Sequence, residues 1–166
     1  MILRLIVTWF GAGLLRPAPG TWGSAVAVLC GVLIHRLGSF PLLALASVLV
    51  AGAGFWAVAR YTAGMDDPDR SEIVIDEVAG QWLALLFPSY AFWQAGMSPA
   101  VFPWPAWLAA FLFFRLFDIW KPWIIGRADR EGGTMGVMMD DLWAGVFAGL
   151  ATMLCAGLWH GVMGWM

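Results

Sequence analysis

The chain has 166 residues, of which 61% are hydrophobic and 12% charged, with twelve Trp and a formal net charge of −2; its mean hydropathy is +0.79. An average soluble domain carries about 25% charged residues, so this composition excludes one and points to a single membrane-embedded domain over residues 1–166. The small net charge gives no reason to expect a nucleic-acid partner, and Cys30 and Cys155, each inside an apolar run, argue for neither a disulfide framework nor a zinc site.

Met1 to Phe10 is apolar but short, and Arg4 interrupts it without the layout of a signal peptide, so it is expected to be retained at the membrane interface. Charge is then absent from Pro17 to His35, Leu37 to Ala59, Val78 to Phe114 and Leu142 to Met166. A membrane span needs about 20 predominantly apolar residues. Gly, Pro and charge clusters divide these runs into five predicted helices: Thr21 to His35, Pro41 to Tyr61, Glu72 to Phe87, Pro105 to Lys121, and Asp140 to His160. Pro88 leaves two fates for the third, a stop inside the membrane or a broken continuation. Pro122 ends the fourth at Lys121, because a proline disfavours helical geometry at the residue before it. The fold class is therefore all-α, a polytopic helical membrane protein.

Arg4, Arg16, Arg60, Arg70, Arg115, Lys121, Arg127 and Arg130 fall toward one side of this map and only Arg36 toward the other. The positive-inside tendency then puts the N-terminus and residues 63–74 and 124–139 in the cytoplasm, with residues 37–40 and the C-terminus facing away. The same topology gathers Asp76-Glu77, Asp118 and Asp140-Asp141 at the cytoplasmic ends of the third, fourth and fifth helices. A carboxylate at the bilayer centre costs about 2.5 to 3.5 kcal/mol even on lenient insertion scales. Acids in such positions point to a protein interior, a cation or a pathway.

Arg115, Asp118 and Lys121 are spaced i, i+3, i+6 and form a stripe on the fourth helix. A salt-bridge ladder explains their proximity but not an arginine nearly two turns inside an apolar helix. A metal ligand flanked by phosphate-binding cations explains both, since hard Mg²⁺ takes one or two carboxylates and phosphate oxygens. Asp76 with Gly80, and Asp141 with Gly145 and Gly149, repeat a four-residue spacing that would carry each Asp to a tight helix crossing. Thr21 and Ser24, in the turn that opens the first helix, could present hydroxyls to an anion. Asp129 and Arg130 lie in a glycine-rich stretch that reads either as a flexible linker or as a headgroup clamp. Cys30 to Arg36 matches the spacing of cysteine-dependent phosphatases, but its apolar helical interior rejects that reading. Trp82, Trp104, Trp107, Trp120, Trp123, Trp143 and Trp159 are read as interfacial belts.

Four blocks resemble the phosphatidylglycerophosphatase A family: Ala18-Pro-Gly-Thr-Trp-Gly-Ser24, Ile75-Asp-Glu-Val-Ala-Gly80, Phe114-Arg-Leu-Phe-Asp-Ile-Trp-Lys-Pro-Trp123 and Gly136-Val-Met-Met-Asp-Asp-Leu-Trp-Ala-Gly145. They run in family order over residues 18–145, departing at Ile124 and in the glycine cluster from Gly132 to Gly136. The resemblance implies an all-helical, Mg²⁺-dependent phosphatase of the bacterial inner membrane. Its substrate would be a phospholipid, phosphatidylglycerophosphate, which loses its terminal phosphate to give phosphatidylglycerol in phospholipid biosynthesis. The family's charged positions fall on Asp76, Glu77, Arg115, Asp118, Lys121, Asp129, Asp140 and Asp141. On this reading Asp76, Glu77, Asp118, Asp140 and Asp141 form the catalytic centre, with Glu77, Asp118, Asp140 and Asp141 as metal ligands, while Arg115 and Lys121 neutralise the phosphate. A small proton- or ion-coupled transporter using the same carboxylates is the alternative, and it would favour inverted repeats that the chain lacks. A scaffold whose acids only form salt bridges is a third reading, and it predicts no metal effect.

Overall fold

In a computed structural model, which describes residues 1–65 and 70–163, the chain forms six α-helices and one 3₁₀ turn, with no strand among the described residues. The expected loop over 63–74 and the expected outward C-terminus fall partly outside those residues. The helices are α1 (Ile2–Val7), α2 (Pro19–Tyr61), α3 (Ile75–Gln94), α4 (Trp104–Trp120), α5 (Ile124–Glu131) and α6 (Gly133–Met163).

The first two predicted helices appear as the two legs of α2, which opens on a proline and breaks at Gly38 and Ser39 just before Pro41. Ser39 takes φ 54, ψ −156, a conformation that costs a non-glycine residue about 1 to 3 kcal/mol. The chain reverses there. On the outgoing leg the Ala27 carbonyl accepts from the Trp82 indole at 2.8 Å and His35 meets Ser89, whereas on the returning leg Gly54 lies against Ile75 and Tyr61 donates to Glu72 at 2.6 Å.

α3 runs unbroken through Pro88 to Gln94, neither stopping nor breaking at the proline as expected, and its twenty residues rise about 30 Å. Three further expectations need correction. α6 begins at Gly133 and not at Asp140, because the chain turns at Gly132 and Gly133, both at positive φ, and nothing from Thr134 onward breaks a helix. The stretch expected as a loop before it is largely the short helix α5, which buries Ile125, Gly126 and Ala128. Trp82 and Trp107 are buried core residues rather than interfacial ones, while Trp104, Trp120, Trp123 and Trp159 are exposed.

α1 packs on the bundle: Val7 is fully buried and its carbonyl accepts from Val74 N at 2.8 Å, pinning the entry to α3. Among the described residues two helices are long and apolar enough to cross a membrane, Pro19–Tyr61 and Gly133–Gly161. Leu29, Leu33, Leu112, Leu116, Leu154 and Leu158 are exposed, which suits lipid and would penalise a water-facing surface. This is a helical membrane protein.

Candidate active site

α3 and α6 approach each other closely. A Cβ added to Gly80 would run into the Asp141 carbonyl and the Phe114 ring, and one added to Gly145 would run into the Gly80 backbone. The two helices therefore touch main chain to main chain, as small residues permit. Asp76 lies one turn before Gly80 and Asp141 one turn before Gly145, so the crossing brings their carboxylates together. Glu77 joins them: Asp76, Glu77 and Asp141 each offer an oxygen, all within 4.8 Å of one another.

Local hydrogen bonds aim these groups. Asp76 Oδ1 accepts from Glu77 N at 3.0 Å, and Asp140 Oδ1 accepts from Asp141 N at 2.9 Å. Glu77 Oε2 and Asp141 Oδ1 are buried and have no hydrogen-bond partner in the protein. An unpaired buried polar atom costs about 1 to 3 kcal/mol, more for a charged one. Three carboxylates this close hold their charge together only with a cation among them. The donor set, all oxygen and all acidic, suits a hard divalent ion such as Mg²⁺.

Two cations frame the trio. Arg115 pairs with Asp118 one turn along α4 and reaches across to Ser24 Oγ on α2 at 3.3 Å. Lys121 departs from the expected stripe. It sits beyond the end of α4 in the left-handed region, φ 49 and ψ 52, so its ammonium swings away to Asp129 on α5 and to Asp140 Oδ2 at 2.7 Å. Burial works against the Lys121 charge, but Asp129 and Asp140 outweigh it and lift its pKa above the usual lysine value. A proton so held makes Lys121 a fixed positive charge and excludes it as a base.

A cavity of about 440 Å³ joins these groups, lined by Thr21, Asp76, Glu77, Arg115, Asp118, Lys121, Asp129, Asp140 and Asp141 among others. Of the residues singled out in the sequence, Ser24 stands behind this wall, accepting from Arg115 and donating to the Gly20 carbonyl at 2.8 Å. Arg130 is exposed on α5 and does not line the cavity. Asp118 and Asp140, expected beside Glu77 and Asp141 as ligands, also line the cavity and each pairs with a cation, while Asp76 lies with Glu77 and Asp141 in the close trio.

The sequence reading missed Arg70, Ser71 and Ile119, which also line the cavity. Arg70 entered it only as one positive charge among several. Gln81 was missed too, although an amide four residues after Glu77 in an otherwise apolar run is a readable signal; it is fully buried, with neither amide atom paired.

The family model described as phosphatidylglycerophosphatase A matches residues 5–156. The chain belongs to that family. It is 35% identical over 149 residues to a phosphatidylglycerophosphatase A of Haemophilus influenzae, covering 88% of this chain and 83% of that one. It is 35% identical over 147 residues to the phosphatidylglycerophosphatase A of Escherichia coli, covering 87% and 78%. A Bacteroides thetaiotaomicron protein, provisionally named a phosphatidylinositol-3-phosphatase, is 36% identical over 149 residues, covering 87% of each. No solved structure matches the chain. Membership makes this chain a phosphatase, and the matched span contains every cavity residue named above. The transporter alternative falls with that assignment.

Proposed function

We propose that the chain hydrolyses the terminal phosphate monoester of phosphatidylglycerophosphate to give phosphatidylglycerol, that it needs Mg²⁺, and that it works in phospholipid biosynthesis with its cavity facing the cytoplasm of a bacterial inner membrane. The observation that carries the reading is the juxtaposition of the Asp76–Glu77–Asp141 trio with Arg115 and Lys121 in one cavity. Acidic oxygens alone would repel a phosphate; cations alone would bind one without a metal. The multi-pass, inward-facing orientation is supported by the basic residues, which crowd the ends that carry the cavity.

Asp76, Glu77 and Asp141 would hold the ion. When bound, Mg²⁺ supplies charge against the phosphate oxygens and lowers the pKa of a coordinated water. The chain's own groups do the rest. Arg115, braced by Asp118 and Ser24, and Lys121, braced by Asp129 and Asp140, are preorganised positive charges for the phosphoryl oxygens, where catalysis is mostly positioning and electrostatics. Hydrolysis adds a water oxygen to phosphorus and breaks the bond to the glycerol oxygen, so the water proton needs an acceptor and the departing oxygen a donor. Asp118 lines the cavity outside the trio and is the carboxylate we assign to the water proton, which it would then return to the departing glycerol oxygen. Thr21, on the facing wall, is assigned to the phosphate.

The test is phosphate release by purified protein from phosphatidylglycerophosphate, phosphatidic acid, phosphatidylinositol 3-phosphate and a soluble phosphate ester, each with Mg²⁺ and with EDTA. Preference for phosphatidylglycerophosphate that disappears in EDTA is expected. Preference for the inositol lipid, in line with the name of the Bacteroides relative, would replace the substrate while keeping the mechanism. Equal rates in EDTA would remove the metal.

A further inference from the structure

The polar cavity meets an exposed apolar surface at Ile119. Ile119 lines the cavity beside Asp118, yet it is 71% exposed. It continues a ridge of exposed apolar side chains, Leu108, Leu112, Leu116 and Ile119, whose spacings of four, four and three residues keep them on one face of α4. Across from α4 stands the N-terminal turn of α2, where Thr21 lines the cavity and the adjoining Trp22 is exposed. The Arg115 to Ser24 hydrogen bond ties the two helices together at this level.

We propose that the cavity opens sideways to the bilayer between the start of α2 and the end of α4, and that the diacylglycerol portion of the substrate lies over Ile119 and along Leu116 and Leu112 while its phosphate enters past Arg115. The proposal rests on the lipid-phosphatase reading and adds to it the path of the acyl chains. A phospholipid is amphipathic, so its phosphate reaches a buried carboxylate site with least exposure of its tails where polar lining and lipid-facing surface are continuous. Ile119 supplies that continuity. Leu108 serves as its control: it lies on the same face of α4 about three turns further from the cavity.

The experiment uses the full chain with Cys30→Ser and Cys155→Ser, reconstituted in vesicles, and a single photoreactive side chain in place of Ile119 or Leu108. The vesicles hold phosphatidylglycerol as a minority in phosphatidylethanolamine. Position 119 should capture phosphatidylglycerol at least about threefold above its bulk share, while position 108 captures lipids in bulk proportion. Bulk proportion at both positions, or equal enrichment at both, overturns the path whatever the enzyme turns over.

A second arm places a single cysteine at 119 or 108 and attaches a bulky maleimide. Labelling at 119 should lower kcat/KM on long-chain phosphatidylglycerophosphate by about tenfold and on a dihexanoyl form by less than about twofold. Equal losses on both substrates would mean that the label plugs the cavity itself, and no loss would mean that tails do not pass there; either outcome sinks the proposal. Failure of the unlabelled parent to release phosphate from either form counts against the function reading, and the capture arm still decides the path.

Discussion

The two ends of the bundle bury polar groups in opposite ways. At the end near the break in α2, the buried His35 Nδ1 lies 2.8 Å from the buried Ser89 Oγ, and His35 meets the edges of Trp107 and Phe92. Each group finds its partner inside the protein, and the result is a pin through α2, α3 and α4. At the other end Glu77 Oε2, Asp141 Oδ1, Arg115 Nε and both amide atoms of Gln81 are buried without partners. Burial with pairing is what stability requires; burial without it is what a ligand completes. The first end holds the helices together, and the second is the end to which we assign the chemistry.

The largest expected effect comes from removing charge at the unpaired end. Asp76→Asn, Glu77→Gln and Asp141→Asn should each lower kcat/KM by about a thousandfold or more, since a bound metal contributes several kcal/mol of transition-state stabilisation. Without Mg²⁺ each variant should melt at or above the parent temperature, because a neutral amide relieves repulsion among three buried carboxylates. Added Mg²⁺ should raise the melting temperature of the parent and not that of the variants. Asp118→Asn should lose turnover yet keep the Mg²⁺-dependent rise, which separates a proton acceptor from a ligand. Variants that lose stability instead of metal response would make the unpaired end a scaffold like the other.

Next in size is the helix crossing. Gly80→Ala and Gly145→Ala each put a methyl where the facing backbone already lies. Overpacking of this kind costs about 1 to 3 kcal/mol, and a shift of one ångström between positioned groups lowers rates by about a hundredfold. Both stability and phosphate release should therefore fall. Gly157→Ala, with nothing within 4 Å of its Cβ, should change neither.

Much of this was legible in the sequence, and the reason is periodicity. Apolar runs of span length gave the all-helical class, and the i, i+4 pairing of Asp76 with Gly80 and of Asp141 with Gly145 foretold a helix crossing that carries acids. The illegible part depends on backbone angles and on contacts between distant segments. Pro122 disfavours helical geometry at Lys121, but nothing local shows the left-handed turn that carries its ammonium to Asp129 and Asp140, an exception held by those tertiary partners. For the same reason the division of five acids into a close trio and two ion-paired members was hidden. Arg70 and Ile119 come to the cavity from a loop and from a lipid-facing ridge, and neither position carries a pattern of its own.

At the paired end the expected effect is on stability alone. His35→Ala and Ser89→Ala should each cost about 1 to 3 kcal/mol, because each leaves a buried partner unsatisfied. Replacing both together should cost less than the sum of the two single changes, the mark of a shared interaction. Phosphate release, measured well below the melting temperature, should stay within about twofold of the parent. A large fall in turnover at unchanged stability would join the two ends functionally and undo the contrast between them.

The smallest effect tests a third kind of polar group, one that is paired but lies near solvent. Glu72 accepts from the Tyr61 hydroxyl and faces Arg4 at 3.5 Å and Arg70 at 3.4 Å. The Tyr61 hydrogen bond, helped by the two arginines and opposed by partial burial, holds its carboxyl below the usual glutamate pKa. A depressed carboxylate pKa stabilises the folded chain above the unfolded value, about 4.3, and that contribution fades as pH falls through the lower folded value. Both arginine side chains are more than half exposed, so solvent screening limits the whole to a few tenths of a kcal/mol up to about 1. The difference in stability between the parent and Glu72→Gln should accordingly be small and constant from pH 6 to 8 and shrink toward zero as the solution is taken below about pH 4. Added salt should reduce it only in part, because the Tyr61 bond is not an ion pair. A difference that grew on acidification would mean that Glu72 is bound as the neutral acid, and the three donors gathered around it would need another explanation.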